Sequence, residues 1–107
     1  MIRISGAKFS EKILIKRVER ACFEHLKQRD IFVTDITIVD ENTIRDLNRE
    51  ARGVDKVTDV LSFPCFAPLD LPVYKEDFSP CDFDGKRVML GSIMICRERT
   101  EEKEQEY

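Results

Sequence analysis

The apolar positions of this 107-residue chain follow two periods, one typical of strands and one typical of helices. Alternation of apolar and polar residues predicts a short first strand over residues 1–5 and a second strand over residues 31–39. Two apolar runs, 60–63 and 87–95, predict two more strands, and the second run is typical of a strand covered on both faces. The pattern therefore predicts four strands.

Apolar residues recur every four residues in the segment that follows the first strand. Ser10 is a suitable N-cap for a helix there, and Glu11 lies where a carboxylate is favourable, near the positive helix end. We predict an amphipathic helix that runs to about residue 28. Its apolar stripe is formed by Leu14, Val18, Cys22 and Leu26.

A second helix is predicted between two residues that define its ends. Asp40 can cap its N-terminus. Gly53 ends it, because a glycine adopts the left-handed conformation without a Cβ clash. One apolar side of this helix is formed by Ile44, Leu47 and Ala51.

Two segments of the chain show no apolar period. Residues 65–86 predict a long surface connection, and residues 97–107 favour a helix that is charged all round. The order of all these elements predicts a single α/β domain over residues 1–107, with helices packed on a small sheet. The connection would be attached to the core by Phe66, Phe78 and Phe83.

The charge of the chain argues against a general nucleic-acid binder, because its formal net charge is −3. The charge is uneven, however, since residues 1–39 hold eight Lys and Arg against five Asp and Glu. Two interpretations of the basic face of the first helix stay open, a solvated face and a phosphate-facing patch. This face carries Lys12, Lys16, Arg17, Arg20 and Lys27.

The sequence shows neither the apolar core of a signal peptide nor a run that approaches the ~18 residues of a membrane span. The four cysteines are scattered, without a CxxC pair. We therefore expect a cytoplasmic protein with reduced thiols and no membrane partner. A zinc site that includes Cys22 and the only histidine, His25, is an alternative, although the spacing matches no structural zinc pattern.

The segment 48–64, NREARGVDKVTDVLSFP, concentrates polar residues between a helix end and a strand start. Arg49 and Arg52 lie at the basic end of the second helix, and Lys56 lies in the turn that follows. Pro64 ends the strand because it has no N–H to give to the ladder. Polar side chains between two rigid elements are typical of functional sites, and an ordinary connection with solvated charges is the alternative interpretation.

This segment resembles the signature N-R-x-x-R-x-x-D-x-x-T-D-V-L-S-F-P of the YbeY family of metal-dependent endoribonucleases, with eleven fixed positions matched within seventeen residues. Weaker matches flank it in the family's order, ITIVDENTIRDLN at 36–48 and LGSIMICRERTEEKEQEY at 90–107. The resemblance implies a mixed four-stranded sheet with one antiparallel strand. It also implies single-strand-specific cleavage in ribosomal RNA maturation and ribosome quality control, with ribosomal RNA and ribosomal proteins as partners.

The resemblance further implies roles for individual residues. Arg52 falls on the functional arginine of the family, which is expected to stabilise charge on the phosphate during hydrolysis. Arg49 and Lys56 are expected to position the RNA backbone together with Arg52. Two positions depart from the family pattern, because Ser92 stands where Asp is usual and Val57 stands where Pro is frequent.

The family's zinc is implied to be bound by three histidines of a segment H-G-x-L-H-L-x-G-Y-D-H, which this sequence does not contain. We therefore assign no metal ligand, and Asp55 and Asp59 would hold a hard cation only weakly. The fold is expected to be incomplete on its C-terminal side, and the chain to be inactive alone. The competing interpretations are a non-catalytic module that binds RNA or the ribosome, and a non-functional truncated product.

Overall fold

The computed structural model describes residues 1–99, which form an α/β fold around one mixed sheet. The predicted α/β class is confirmed, and both helices and the four longer strands lie where the sequence predicts them. The helices are α1 (Phe9–Leu26) and α2 (Glu41–Arg52). The strands are β1 (Ile2–Ser5), β2 (Phe32–Val39), β3 (Val60–Pro64), β4 (Phe83–Asp84) and β5 (Arg87–Cys96).

The long strands of the sheet follow the order β1-β2-β5-β3, and β4 also pairs with β5. The pairs β1–β2 and β2–β5 are parallel, whereas β3 and β4 run antiparallel to β5. Within residues 1–99, the sheet thus has five strands rather than the four expected. The additional strand arises because Gly85, at φ +66°, allows a tight turn after Asp84, which then pairs with Arg87.

The helix ends show one difference from the sequence prediction. Lys8, not Ser10, is the N-cap of α1. The Glu11 carboxylate accepts a hydrogen bond of 2.6 Å from the Lys8 backbone N–H, so the helix begins where Glu11 can reach back to the capping residue. No helix within residues 1–99 combines the length and the apolarity that a membrane crossing requires. Of the charged helix predicted over 97–107, residues 97–99 are helical and the rest lies outside the described residues.

Two buried clusters lie at opposite ends of β5. At its N-terminal end, Ile31, Phe32 and Val88 form one cluster, against which the connection between β3 and β5 packs. The rings of this connection contact the cluster directly, since the Phe32 and Phe78 centroids lie 6.2 Å apart at an interplanar angle of 87°. At the C-terminal end of β5, Ile44 of α2 packs with Leu61 and Cys96 to form the second cluster.

Gly91 lies at the irregularity in the pairing of β5 with β2, where the register shifts between Val33 and Thr34. Its φ is +147°, and a Cβ at this position would collide with the backbone oxygen of Phe63 on β3. A side chain is therefore excluded where β5 approaches the backbone of β3. This constraint accounts for the glycine that follows Leu90 in the middle of β5.

The apolar stripe predicted for α1 is not buried within the described part of the chain. Leu14 and Val18 are 60% and 54% exposed. They line an open groove of about 480 Å³ between α1 and the sheet, whose floor includes Ile2, Ile36 and Ile93. We refer to this surface as the apolar groove. Burial of apolar area drives folding, so a helix that leaves its stripe open contributes little to the stability of the fold.

We expect the chain to be marginally stable and to self-associate through the apolar groove, because exposed apolar patches of this kind drive association. The double substitution Leu14→Gln and Val18→Gln should lower binding of the dye ANS and shift size-exclusion elution towards the monomer. The matched control is Phe9→Gln with Ile13→Gln, two exposed apolar residues of α1 that do not line the groove. If the unsubstituted chain is a monodisperse monomer with a sharp thermal transition, the expectation is wrong.

Candidate nucleic-acid interface

The turn that leaves α2 is fixed by backbone hydrogen bonds to the helix end. Gly53 adopts the left-handed conformation at φ +68°, as predicted for the residue that ends this helix. Its N–H donates to the Arg49 carbonyl at 2.9 Å, and the Val54 N–H donates to the Asn48 carbonyl at 3.4 Å. The chain therefore leaves α2 in one defined direction, towards the edge strand β3.

Two side chains of α2 hold the turn in place. The buried Asn48 donates from its side-chain amide to the Lys56 carbonyl at 3.0 Å. Arg45 donates twice to the Asp55 carboxylate, from Nε at 2.8 Å and from Nη2 at 3.3 Å. Both contacts come from α2, and together they hold the turn of residues 53–56 against this helix.

The start of β3 is fixed on β5. The Cys96 N–H donates to the Asp59 carbonyl at 2.8 Å. The Asp59 carboxylate in turn accepts from the Val60 N–H at 3.1 Å and from the Thr58 hydroxyl at 3.4 Å. These contacts are local, and they give Thr58 and Asp59 a role in shaping the entry to the strand.

Arg52, the candidate catalytic residue, is exposed and lies against the edge strand. Its Nη2 donates to the Ser62 carbonyl at 3.2 Å. A guanidinium has five N–H donors, so this contact orients the group and leaves donors for a phosphate. Ser62 pairs with Ile93 and lines, with Ser92, a groove of about 210 Å³. Arg52 is therefore attached to the strand that forms one wall of this groove.

Arg49 and Lys56 lie in the same turn as Arg52, but their charges are used differently. The Arg49 guanidinium lies 3.2 Å from the Asp46 carboxylate and 4.0 Å from that of Asp55. The exposed Lys56 makes no ion pair with residues 1–99. The three predicted residues lie on one short segment, and of these Arg52 and Lys56 have no carboxylate partner among residues 1–99.

The sequence pattern did not single out Arg45, which neutralises Asp55. The Arg45 guanidinium lowers the pKa of the Asp55 carboxyl below its ordinary value of 3.8, chiefly through their hydrogen bonds. A signal was present, because Arg45 precedes Arg49 by four residues and so lies on the same helix face. Asn48 was in the signature without an assigned role, and its contact with Lys56 now provides one.

The zinc site that the resemblance implies does not fit the described residues. Residues 1–99 contain no group of three or more His, Cys, Asp or Glu side chains that could hold a metal ion. The alternative site at Cys22 and His25 has no further ligand in this part of the chain, and both residues lie exposed on α1. Asp55 is engaged by Arg45.

The fold and the site define an α/β protein with a basic turn docked on the edge strand of a mixed sheet. A family model described as Endoribonuclease YbeY matches residues 3–107. A match of this extent covers the signature and both flanking motifs, so the chain belongs to the Endoribonuclease YbeY family.

Individual relatives agree with this assignment. An Endoribonuclease YbeY of Clostridium botulinum is 40% identical over 90 residues, which cover 77% of this chain and 54% of the relative. Another, from Clostridium perfringens, is 37% identical over 102 residues, or 88% of this chain and 61% of the relative. A solution structure of a Thermotoga maritima protein aligns with 99% of this chain and 58% of that one, at 30% identity and a TM-score of 0.54. The chain thus spans about half to three-fifths of the length of these relatives.

Asn48→Ala tests whether the buried amide holds the turn. The substitution removes a hydrogen bond and leaves the Lys56 carbonyl without its donor, so we expect a loss of about 1–2 kcal/mol in the free energy of unfolding. Urea denaturation measures it, with Asn42→Ala on the exposed first turn of α2 as the control. Equal effects of the two substitutions would contradict the role of Asn48.

Acidification should weaken the contact between Arg45 and Asp55. The folded-state pKa of Asp55 is depressed, so its stabilising contribution is complete above the unfolded pKa near 3.8 and is lost as the pH falls through the lower folded value. We expect Asp55→Asn to remove part of the decrease in stability between about pH 5 and pH 3, measured by circular dichroism. The exposed Asp70, replaced by Asn, is the control, and an identical pH profile for the two variants would count against the contact.

Proposed function

We propose that this chain is the RNA-contacting part of a YbeY-type endoribonuclease, with Arg52 as the residue that stabilises charge on the scissile phosphate. The observation that carries the proposal is the position of Arg52, exposed at the end of α2 and oriented by the Ser62 carbonyl at 3.2 Å. Membership of the Endoribonuclease YbeY family supports RNA as the substrate. The finer assignments, ribosomal RNA, ribosomal proteins and a cytoplasmic location, follow from the resemblance.

Charge supports Arg52 over Arg49 as the catalytic residue. Arg49 lies within ion-pair distance of Asp46 and Asp55, so part of its field is cancelled before a phosphate arrives. Among residues 1–99, Arg52 contacts a neutral carbonyl and no carboxylate, and its planar fork matches the oxygens of a phosphate. In this proposal Arg49 and Lys56 position the RNA backbone on either side of Arg52.

Hydrolysis requires more than these cations. The family is metal-dependent, and zinc is the metal that the resemblance implies; a bound zinc would supply an activated water. The described residues do not fit such a site, so we assign the chain's own residues only to binding, orientation and charge stabilisation. We therefore propose that the chain as given binds RNA without cleaving it.

A non-catalytic module that binds RNA or the ribosome is the second candidate function. It is favoured by the exposed cations Arg52 and Lys56, which can contact a phosphate backbone without a metal. Salt-sensitive RNA binding by the chain separates this candidate from a non-functional product. Cleavage separates it from the enzyme.

The proposal is tested by a four-way comparison of the chain as given and a version extended by the family's three-histidine segment, each with Arg52 or Arg52→Ala. The chain as given should not cleave a structured RNA, and its stability should change little on the exposed substitution. The extended version should bind zinc and cleave, if Ser92 is tolerated. There, Arg52→Ala should lower turnover by about 10²-fold or more, the scale for the loss of one preorganised charge donor.

Two outcomes would contradict the proposal. Equal cleavage by the extended version with and without Arg52→Ala would remove the catalytic assignment. Cleavage by the chain as given, surviving removal of trace nucleases, would show that residues 1–107 contain a complete catalytic site. Arg45→Ala serves as a further control, because it removes a neighbouring cation that we assign only to holding Asp55.

A further inference from the structure

A second basic surface lies at the opposite end of the sheet from the signature segment. It is a pocket of about 500 Å³ at the N-terminal ends of β2 and β5, within the volume range of about 300–1,000 Å³ that is usual for ligand sites. Its cations are Arg29, Lys75, Lys86 and Arg87, and Tyr74 lies on its rim. We refer to it as the basic pocket.

The charges of the basic pocket are largely uncancelled. Arg87 is engaged, with its Nη1 at 2.6 Å from the Asp30 carbonyl and 3.3 Å from the Asp30 carboxylate. That carboxylate also binds the N-terminal ammonium at 2.6 Å, so its charge is offset twice. Arg29, Lys75 and Lys86 make no ion pair with residues 1–99, and Glu76 is the other carboxylate in the lining.

The pocket is held in shape by one buried side chain. Gln28, 5% exposed, donates from Nε2 to the Val73 carbonyl at 2.9 Å and accepts from the Val73 N–H at 2.8 Å. The same Nε2 donates to the Arg29 carbonyl at 2.9 Å. Gln28 thereby fixes the segment that carries Tyr74 and Lys75 against the segment that carries Arg29. The cations are held near one another before any ligand binds, which reduces the entropic cost of binding.

Tyr74 adds a feature that a simple cationic surface lacks. Its side chain is 56% exposed, and its backbone N–H donates to the Asp77 carboxylate at 2.8 Å, which fixes the residue at the start of a short 3₁₀ turn. An exposed aromatic ring beside unpaired cations is the arrangement that binds single-stranded nucleic acid, with a base on the ring and phosphates on the cations.

We propose that the basic pocket is a second RNA site, which binds a phosphodiester of a single-stranded segment and stacks one unpaired base on Tyr74. This inference rests on the proposed function in taking RNA as the ligand. The pocket anchors the strand, whereas Arg52 contacts it at the signature segment. On β5, Ile93, the partner of Ser62, lies six positions after Arg87, so the two sites lie about 20 Å apart along the sheet. One strand of several nucleotides can reach both.

The test is fluorescence anisotropy of the full 107-residue chain with a labelled single-stranded RNA of about 12 nucleotides, at several salt concentrations. The pocket variant is Lys75→Gln with Lys86→Gln. We expect it to lose on the order of tenfold in affinity at about 0.1 M salt, and the slope of log K against log salt to fall by about 1.4, for two lost phosphate contacts. Tyr74→Leu should lose about fivefold or more with the slope unchanged, because stacking is not ionic.

Two double substitutions that remove the same charge as the pocket variant distinguish a loss of RNA binding at the basic pocket from a loss elsewhere. Lys12→Gln with Arg17→Gln removes the same charge from the outer face of α1, outside the basic pocket. We take this face as solvated and expect the variant to leave binding unchanged. Arg49→Gln with Lys56→Gln removes the same charge from the signature segment. If only this variant loses affinity, the proposed function stands and the second site is wrong. Absence of RNA binding by the unsubstituted chain would overturn both.

Two further results would overturn the inference. Equal losses for the pocket variant and the α1 control would show a general charge effect rather than a site. Competition by a free mononucleotide as effective as competition by unlabelled RNA would assign the pocket to a small nucleotide instead. Unchanged affinity of Tyr74→Leu would remove the stacking contact, and with it the preference for an unpaired base.

Discussion

The position of β5 between β2 and β3 is the constraint on which the rest of the structure depends. Its full length pairs with β2 on one side, while β3 and β4 share its other side. Val88 and Cys96 lie near its two ends, and both are completely buried, each within a different cluster. A single strand therefore anchors two cores, and each core supports one of the two basic surfaces. Gly91 makes this arrangement sterically possible at the point of closest approach.

Each of the two surfaces is held by polar side chains with a partner that lies at least eight residues farther along the chain. Asn48 and Arg45 fix the turn after α2 through partners eight and ten residues away. Gln28 fixes the basic pocket through Val73, forty-five residues away. In each case a helix or its end supplies the side chain, and a loop supplies a backbone group or, for Arg45, the Asp55 carboxylate. A few specific hydrogen bonds thus help to order the loops, and in the connection between β3 and β5 they act together with the aromatic rings that pack on the buried cluster.

Local signals in the sequence predicted the elements well, because strand alternation, the Asp40 cap and the Gly53 terminus depend on near neighbours. β4 was missed since two residues carry no period. The exposure of the apolar stripe of α1 was missed, because such a stripe predicts which face of the helix is apolar but not which element covers that face. Of the site, the sequence placed Arg49, Arg52 and Lys56 on one segment, but which of these cations is ion-paired depends on Asp46 and Asp55. Gln28 and the basic pocket had no sequence signal, since their contacts are non-local.

The direction of α2 explains why the signature segment needs so many cations. The C-terminal end of a helix carries a partial negative charge of about half a unit, which repels a phosphate. Arg49 and Arg52 lie in that last turn, and Asp46 and Asp55 add two further negative charges close by. Much of the positive charge there is therefore needed to offset the helix end and the carboxylates that hold the turn. The lining of the basic pocket has four cations against two carboxylates, Asp30 and Glu76, and the Asp30 carboxylate is itself bound by Arg87 and the N-terminal ammonium. In the arrangement that we propose, the signature segment orients one phosphate and the basic pocket supplies affinity for the strand.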